Sequence, residues 1–124
     1  MKRLIVQLWR TSAEQPNLAI TPLLMATTAA AMNINVEIHV IGSSVDLFIK
    51  ANPKTQQILT PSNRPLSTFV EDAIRTGVKV KICSAALRDS QLDLKDLVEG
   101  VSEMIGMVTM IDLATDSNTT VLAY

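Results

Sequence analysis

Cys83 is the only cysteine of the chain, and it stands where a predicted strand passes directly into a predicted helix. Residues 78–82 alternate valine and isoleucine with lysine at the two-residue period of a strand, and the alanine, leucine and arginine of residues 85–88 have high helix propensity. In open α/β sheets, ligands and catalytic groups gather outside the carboxyl ends of the strands. The position of Cys83 therefore suits a nucleophilic sulfur.

Three neighbours are the predicted support for a Cys83 thiolate. Counting back by twos along the strand places Lys81, with Lys79, on the same face as the thiol. Backbone amides at the helix start near Ser84 carry partial positive charge, which favours the thiolate over the thiol. Arg88 either supports the same anion or is a solvated surface residue. In the alternative interpretation Cys83 packs as a small hydrophobe, as most buried free cysteines do.

Length and composition limit the classes of function. A chain of 124 residues is predicted to be one domain, 1–124, and 48% hydrophobic against 3% aromatic content predicts a core of aliphatic residues, alanine and methionine. A net charge of −1 with dispersed basic residues argues against a nucleic-acid partner. No apolar run approaches the roughly 20 residues that span a bilayer, so no membrane is expected either. A single cysteine excludes an intrachain disulfide and favours a reducing, cytoplasmic location.

The pattern of apolar residues predicts alternating strands and helices. We predict strands over 4–9, 36–41, 78–82, 99–104 and 119–124. Predicted helices cover 45–51, 66–76, 84–90 and 106–116, with a helical turn at 93–98; a further helix ends near Met32 and begins at either Pro16 or Pro22. The proline-rich segment 53–65 is predicted to be a loop, either a mobile flap or plain surface. This order predicts a three-layer α/β domain with a mostly parallel sheet.

Two of the predicted strands have one polar face. Glu37 and His39 alternate with apolar residues in the second strand, as Lys79 and Lys81 do in the third. A parallel strand covered on both faces is usually apolar throughout, so this face is expected to be thinly covered or covered by another subunit. We interpret His39, in mid-strand, as structural or partly exposed rather than as a catalytic base.

The remaining motifs favour no other chemistry. The four glycines fit neither the P-loop nor the dinucleotide fingerprint, and no Gly-x-Ser-x-Gly elbow is present. Met104, Met107 and Met110 lack further ligands for a soft metal, so the sequence predicts that they belong to the core and that there is no metal site. By elimination, Cys83 is the one chemically distinctive group.

The most specific motif surrounds this cysteine. Residues 82–88 read Ile-Cys-Ser-Ala-Ala-Leu-Arg, and they follow Gly77; a second motif, Gly-Ser-Ser, ends the second strand before Val-Asp-Leu-Phe. With the alanine-rich first helix and the tail from Glu99, this sequence resembles the DsrE/DsrF-like family, which includes sulfur-relay subunits of the TusD type and YchN-type proteins. The chain has one alanine fewer than the family motif after Cys83, and Asp89 and Ser90 replace its basic residue and glycine.

The resemblance implies a five-stranded parallel sheet between helices, and a homo-oligomer that is a trimer or a hexamer. It also implies a sulfur carrier of the sulfurtransferase type, in which Cys83 holds sulfane sulfur as a persulfide and exchanges it with a donor or acceptor protein, without a cofactor. The alternative is an oligomeric binding or structural module of the same fold in which Cys83 is a packing residue. A buried thiol would favour this alternative.

Overall fold

Five strands form one parallel sheet. A computed structural model describes residues 2–124 of the chain. The strands are β1 (Arg3–Leu8), β2 (Asn35–Val40), β5 (Lys79–Cys83), β6 (Val101–Ile105) and β7 (Thr119–Ala123), with β3 (Ile58–Leu59) and β4 (Arg64–Pro65) in a separate short hairpin. The sheet order is β6-β5-β2-β1-β7, and every neighbouring pair is parallel. The predicted α/β fold with a five-stranded parallel sheet is confirmed.

Helices connect the strands. They are α1 (Pro16–Ala31), α2 (Pro53–Gln56), α3 (Leu66–Thr76), α4 (Ser84–Asp89) and α5 (Met107–Ala114), with 3-10 turns at Gly42–Phe48 and Leu94–Asp96. Helix α1 begins at Pro16, the earlier of its two predicted starts, and contains Pro22. Helix α3 ends at Gly77, whose φ of 108° is the left-handed conformation predicted for that glycine. None of the described helices is both long and apolar enough to cross a membrane.

Two predictions between β2 and α3 were wrong. The helix predicted over 45–51 is a 3-10 turn that ends at Phe48, because Ile49 is extended and bridges Leu97. The segment 53–65, predicted as a loop, contains α2 and the β3–β4 hairpin. The side chain of Asn52 caps α2 by accepting a hydrogen bond from the Lys54 amide at 3.1 Å, which allows a single helical turn at this point.

The two faces of the sheet differ in chemistry. Even-numbered strand residues such as Val6, Ile38 and Val80 are fully buried in the main core, on the face against which α1 and α3 pack. Small α1 residues such as Ala26 belong to the same core, which lets α1 lie close to the sheet. The odd-numbered face bears the polar residues of β2 and β5 and also Cys83, and α5 packs on it through Met110. The candidate site lies on this second face.

Candidate functional site

Cys83 is the last residue of β5 and immediately precedes α4. Its φ and ψ of −62° and 126° are still extended, so the chain turns from strand to helix directly after the thiol-bearing residue. This is the junction that the alternating valines and the alanine-rich run predict. The side chain is a free thiol and only 3% exposed, because residues of α4, β6 and α5 pack around it.

A small apolar cluster encloses the thiol, separate from the main core. Its buried members are Cys83, Ala86, Ile105 and Met110, with Ile41 and Ala85 packed at its edge. Strand β6 brings Ile105 into register with Cys83, and α5 brings Met110. Helix α5 is therefore one of the three elements, with α4 and β6, that cover the sulfur.

The methionines do not all belong to the core as predicted. Met110 is 1% exposed, whereas Met104 and Met107 are each 49% exposed. Met104 lies on the edge strand β6 and Met107 is the first residue of α5, and about half of each residue is open to solvent. The prediction is correct for Met110 only.

The residues predicted to support a thiolate have different surroundings. The Lys81 Nζ lies 2.9 Å from Glu37 Oε1 and 3.4 Å from Glu103 Oε1, so two carboxylates offset its charge. Ser84 is half-buried as the first residue of α4, and Arg88 is exposed near the end of that helix. Of these three residues, only Ser84 is next to Cys83 in the sequence. The roles of Ser84, Lys81 and Arg88 toward the sulfur stay predictions.

A buried polar cluster occupies the same face of the sheet. The Glu37 carboxylate is 4% exposed, and its Oε1 lies 2.9 Å from His39 Nε2 as well as from Lys81. On the other side, Arg3 Nε lies 3.5 Å from Glu37 Oε2. Alternating polar residues in β2 and β5 were the sequence signal for this cluster, but the contribution of Arg3 depends on β1 lying beside β2 and was missed. The contact of Glu103 with Lys81 was also missed, because it depends on β6 lying beside β5.

The protonation of this cluster follows from its burial and contacts. Burial raises the pKa of Glu37, but contacts with His39 and Lys81 outweigh burial and hold that pKa below its ordinary value. Burial lowers the pKa of His39, and the Glu37 carboxylate only partly offsets this effect. His39 is therefore neutral at neutral pH. It is also fully buried, as expected for a structural histidine, and no substrate can reach it as it is placed.

The chemistry available at the site is that of a sheltered thiol. Across residues 2–124, no group of three or more histidine, cysteine, aspartate or glutamate side chains is arranged to hold a metal ion. The carboxylates of Glu37 and Glu103, on the two strands beside β5, form ion pairs with Lys81. A thiol reacts as a nucleophile only where it is accessible, so any reaction of Cys83 requires the small apolar cluster around it to open.

A model of the DsrE/DsrF-like family matches residues 5–122, nearly the whole chain. The chain belongs to the DsrE/DsrF-like family. Solved structures of similar fold include the YchN protein from E. coli, with a TM-score of 0.75 at 16% identity over 100% of this chain and 99% of that one. MTH1491 from Methanobacterium thermoautotrophicum, a protein of unknown function, gives 0.71 at 18% identity over 100% of both chains. These identities support the fold alone, and no curated protein matches the chain.

Proposed function

We propose that this DsrE/DsrF-like protein is a small cytoplasmic sulfur carrier of the sulfurtransferase type, with Cys83 as the persulfide-carrying residue. The observation that carries the proposal is that Cys83 is the last residue of β5, directly before α4, at the carboxyl edge of a parallel sheet. Residues 82–88 also resemble the motif around the persulfide cysteine of the relay members. The single free thiol agrees with a reducing compartment.

The proposed reaction is a pair of thiol exchange steps. The Cys83 thiolate attacks the outer sulfur of a donor persulfide, the donor S–S bond breaks, and the donor leaves as a thiolate. Cys83 then carries the sulfur as Cys–S–S⁻. An acceptor thiolate attacks this outer sulfur and releases the Cys83 thiolate unchanged. No net oxidation occurs, no cofactor or metal takes part, and both partners supply their own cysteine because the chain has only one.

Burial of the thiol places a condition on this proposal. At 3% exposure, the sulfur cannot be attacked by a protein-bound persulfide until the cover formed by Met110 and Ile105 opens. Helix α5 has eight residues, and Met110 is its only buried one, so opening at α5 leaves the main core intact. In the proposal, the Met110 side chain moves aside as the donor or acceptor protein docks, while α5 stays at its subunit contact.

Intact mass tests the proposal. Folded wild-type protein and the Cys83→Ser variant are incubated with inorganic polysulfide, and the intact mass of each is measured before and after reduction. We expect the wild type alone to gain the mass of one sulfur atom and to lose it on reduction. Absence of the gain in folded protein, together with modification of the same thiol once the chain is unfolded in denaturant, would overturn the proposal.

The second candidate is an oligomeric binding or structural module in which Cys83 only packs. The 3% exposure of the thiol favours this function, since an inert buried cysteine has this environment. The same mass measurement separates the two candidates. In a module of this kind, the wild type takes up no sulfur, and the Cys83→Ser variant binds the same partners as the wild type.

Both candidates share a proposed homo-oligomer, a trimer or hexamer, with α5 at the subunit contact. Helix α5 is apolar around most of its circumference, and Asp112 is its only charged residue. Met107, Val108 and Ile111 are 49%, 85% and 53% exposed. A helix that is apolar on all sides is normally buried, so a second copy of the chain is the proposed cover.

A further inference from the structure

A second concave site lies away from Cys83. A cavity of about 570 Å³ lies between α3, residues 47–56 and residues 98–100. Residues 98–100 precede β6, whereas Cys83 is paired with Ile105 at the other end of that strand. The cavity therefore lies near the amino end of β6, and Cys83 lies near its carboxyl end. Its volume falls in the range of roughly 300–1,000 Å³ that is usual for small-molecule sites.

The inner surface of the cavity is mostly apolar, although Thr55 and Ser67 also line it. Leu47 and Val70 are buried residues of the main core, and Ile49, Ile74 and Val98 are partly buried against it. This lining offers a ligand contact with aliphatic side chains that the core already holds in place. An apolar group entering the cavity would lose contact with water without disturbing the packing around it.

Gly100 fixes the shape of one wall. Its φ is +98°, and a Cβ at this position would lie 2.5 Å from Ile74 Cγ2. A larger residue would clash with Ile74, so either Ile74 or residues 98–100 would have to move and the wall would change shape. The glycine thus allows the backbone to close against α3 while the rest of the space between these segments stays open.

The rim of the cavity carries charges of both signs. Lys50, Glu71 and Glu99 are exposed at the rim, and within residues 2–124 none of the three forms an ion pair. Arg75 also lines the cavity, but its guanidinium lies 3.4 Å from an oxygen of Asp72. The rim therefore presents two carboxylates and one ammonium that have no internal partner. A ligand that complements them carries both an ammonium and a carboxylate.

We propose that this cavity binds a zwitterionic small molecule with an apolar body, of the class of apolar amino acids and dipeptides. The apolar side chains enter the cavity, the ligand ammonium faces Glu71 and Glu99, and the ligand carboxylate faces Lys50. This site is independent of sulfur transfer at Cys83 and does not rest on it.

The test is an NMR titration of the isotope-labelled protein with leucyl-phenylalanine, and with the same dipeptide acetylated at its amino end and amidated at its carboxyl end. We expect the free dipeptide to shift the amide signals of Ser67, Ile74 and Gly100. The blocked dipeptide should bind about tenfold more weakly, since it has lost both charges. Equal binding of the two dipeptides, or shifts confined to other residues, would overturn the proposal.

Variants separate the cavity from nonspecific binding. Replacing Glu71 and Glu99 together by glutamine should weaken binding of the free dipeptide about threefold to tenfold. Asp112→Asn, the same change on an exposed acid of α5, should leave binding unchanged. Ser67→Phe, which fills the cavity from a half-buried position, should abolish the shifts. Cys83→Ser should bind as wild type; retention of binding by Ser67→Phe would contradict the assigned location.

Discussion

Met110 of α5 packs in the same small apolar cluster as Cys83, at the carboxyl end of β5. Both side chains are almost completely buried, although the rest of α5 is largely exposed. Met110, together with Ala86 and Ile105, therefore closes the thiol off from solvent. The accessibility of Cys83 and the position of α5 are linked by this contact.

Shortening Met110 should expose the thiol. We expect Met110→Ala to accelerate alkylation of Cys83 by about tenfold or more, because each 1.4 kcal/mol or so taken from the opening free energy gives a factor of ten. The measurement is the alkylation rate of the folded protein by iodoacetamide. Truncation of a buried methionine costs about 2–5 kcal/mol, so Leu23→Ala, in the main core, serves as a control of comparable cost. Equal acceleration in both variants would mean that exposure follows global unfolding.

The Lys81 ammonium should matter much more than that of Lys79 on the same strand face. Lys81→Met removes a cation 2.9 Å from the buried Glu37 carboxylate, and we expect the free energy of unfolding to fall by about 3 kcal/mol. Lys79 is exposed, and Lys79→Met should stay within about 0.5 kcal/mol of wild type. Urea unfolding of the two variants measures the difference. Equal losses would show that the Glu37 cluster does not depend on Lys81.

Stability should fall as the solution becomes mildly acidic. Burial holds the pKa of His39 below its ordinary value of 6.5, so below that pH the unfolded chain binds a proton that the folded chain does not. The free energy of unfolding therefore decreases as the pH falls through this region. A second decrease should follow below 4.5, because the pKa of Glu37 is also lowered in the fold. Asp46 opposes the second decrease, since burial raises its pKa.

Urea unfolding at a series of pH values measures this dependence. His39→Leu removes the titrating imidazole, so its stability should be flat between neutral pH and about pH 5.5, where the stability of the wild type declines. An identical slope in the variant would assign the decline to another group.

Gly100 and Gly77 should differ in their tolerance of alanine. Both have positive φ, but a Cβ on Gly77 meets nothing within 4 Å, whereas one on Gly100 lies 2.5 Å from Ile74. We expect Gly77→Ala to cost about 1 kcal/mol and Gly100→Ala about 2–3 kcal/mol, because the second adds overpacking to backbone strain. Denaturant unfolding at one pH compares them. A smaller loss for Gly100→Ala would mean that Ile74 moves aside easily.

Charges on α5 should break the proposed oligomer. Val108→Lys and Ile111→Lys place ammonium groups on its exposed apolar surface, and a contact that buries them would lose affinity. Sedimentation of the double variant should give a monomer, against a trimer or hexamer for wild type. Leu18→Lys and Met32→Lys on α1, also exposed, serve as the control pair and should leave the assembly intact. A wild-type monomer, or a charged α5 variant that still assembles, would contradict the assigned contact.

The sequence by itself determined the five strands of the sheet and the helices α1, α3, α4 and α5, but not α2 or the β3–β4 hairpin. Apolar runs bounded by polar residues located the five strands of the sheet, and Gly77 marked the end of α3, because these signals depend on local periodicity and backbone preference. The same local signals placed Cys83 between a strand and a helix. They left the start of α1 open between Pro16 and Pro22, since either proline suits a first turn.

Only the tertiary structure decided which of these residues meet. Glu37 and Lys81 are neighbours because β5 lies beside β2, and strand order is a property of the whole chain rather than of either segment. The burial of Cys83 likewise depends on α5, a helix from a later part of the chain that packs Met110 next to the thiol. Local patterns predict the secondary structure that each segment prefers. Contacts across the sheet depend on all segments packing together, and they decided that the thiol is sheltered.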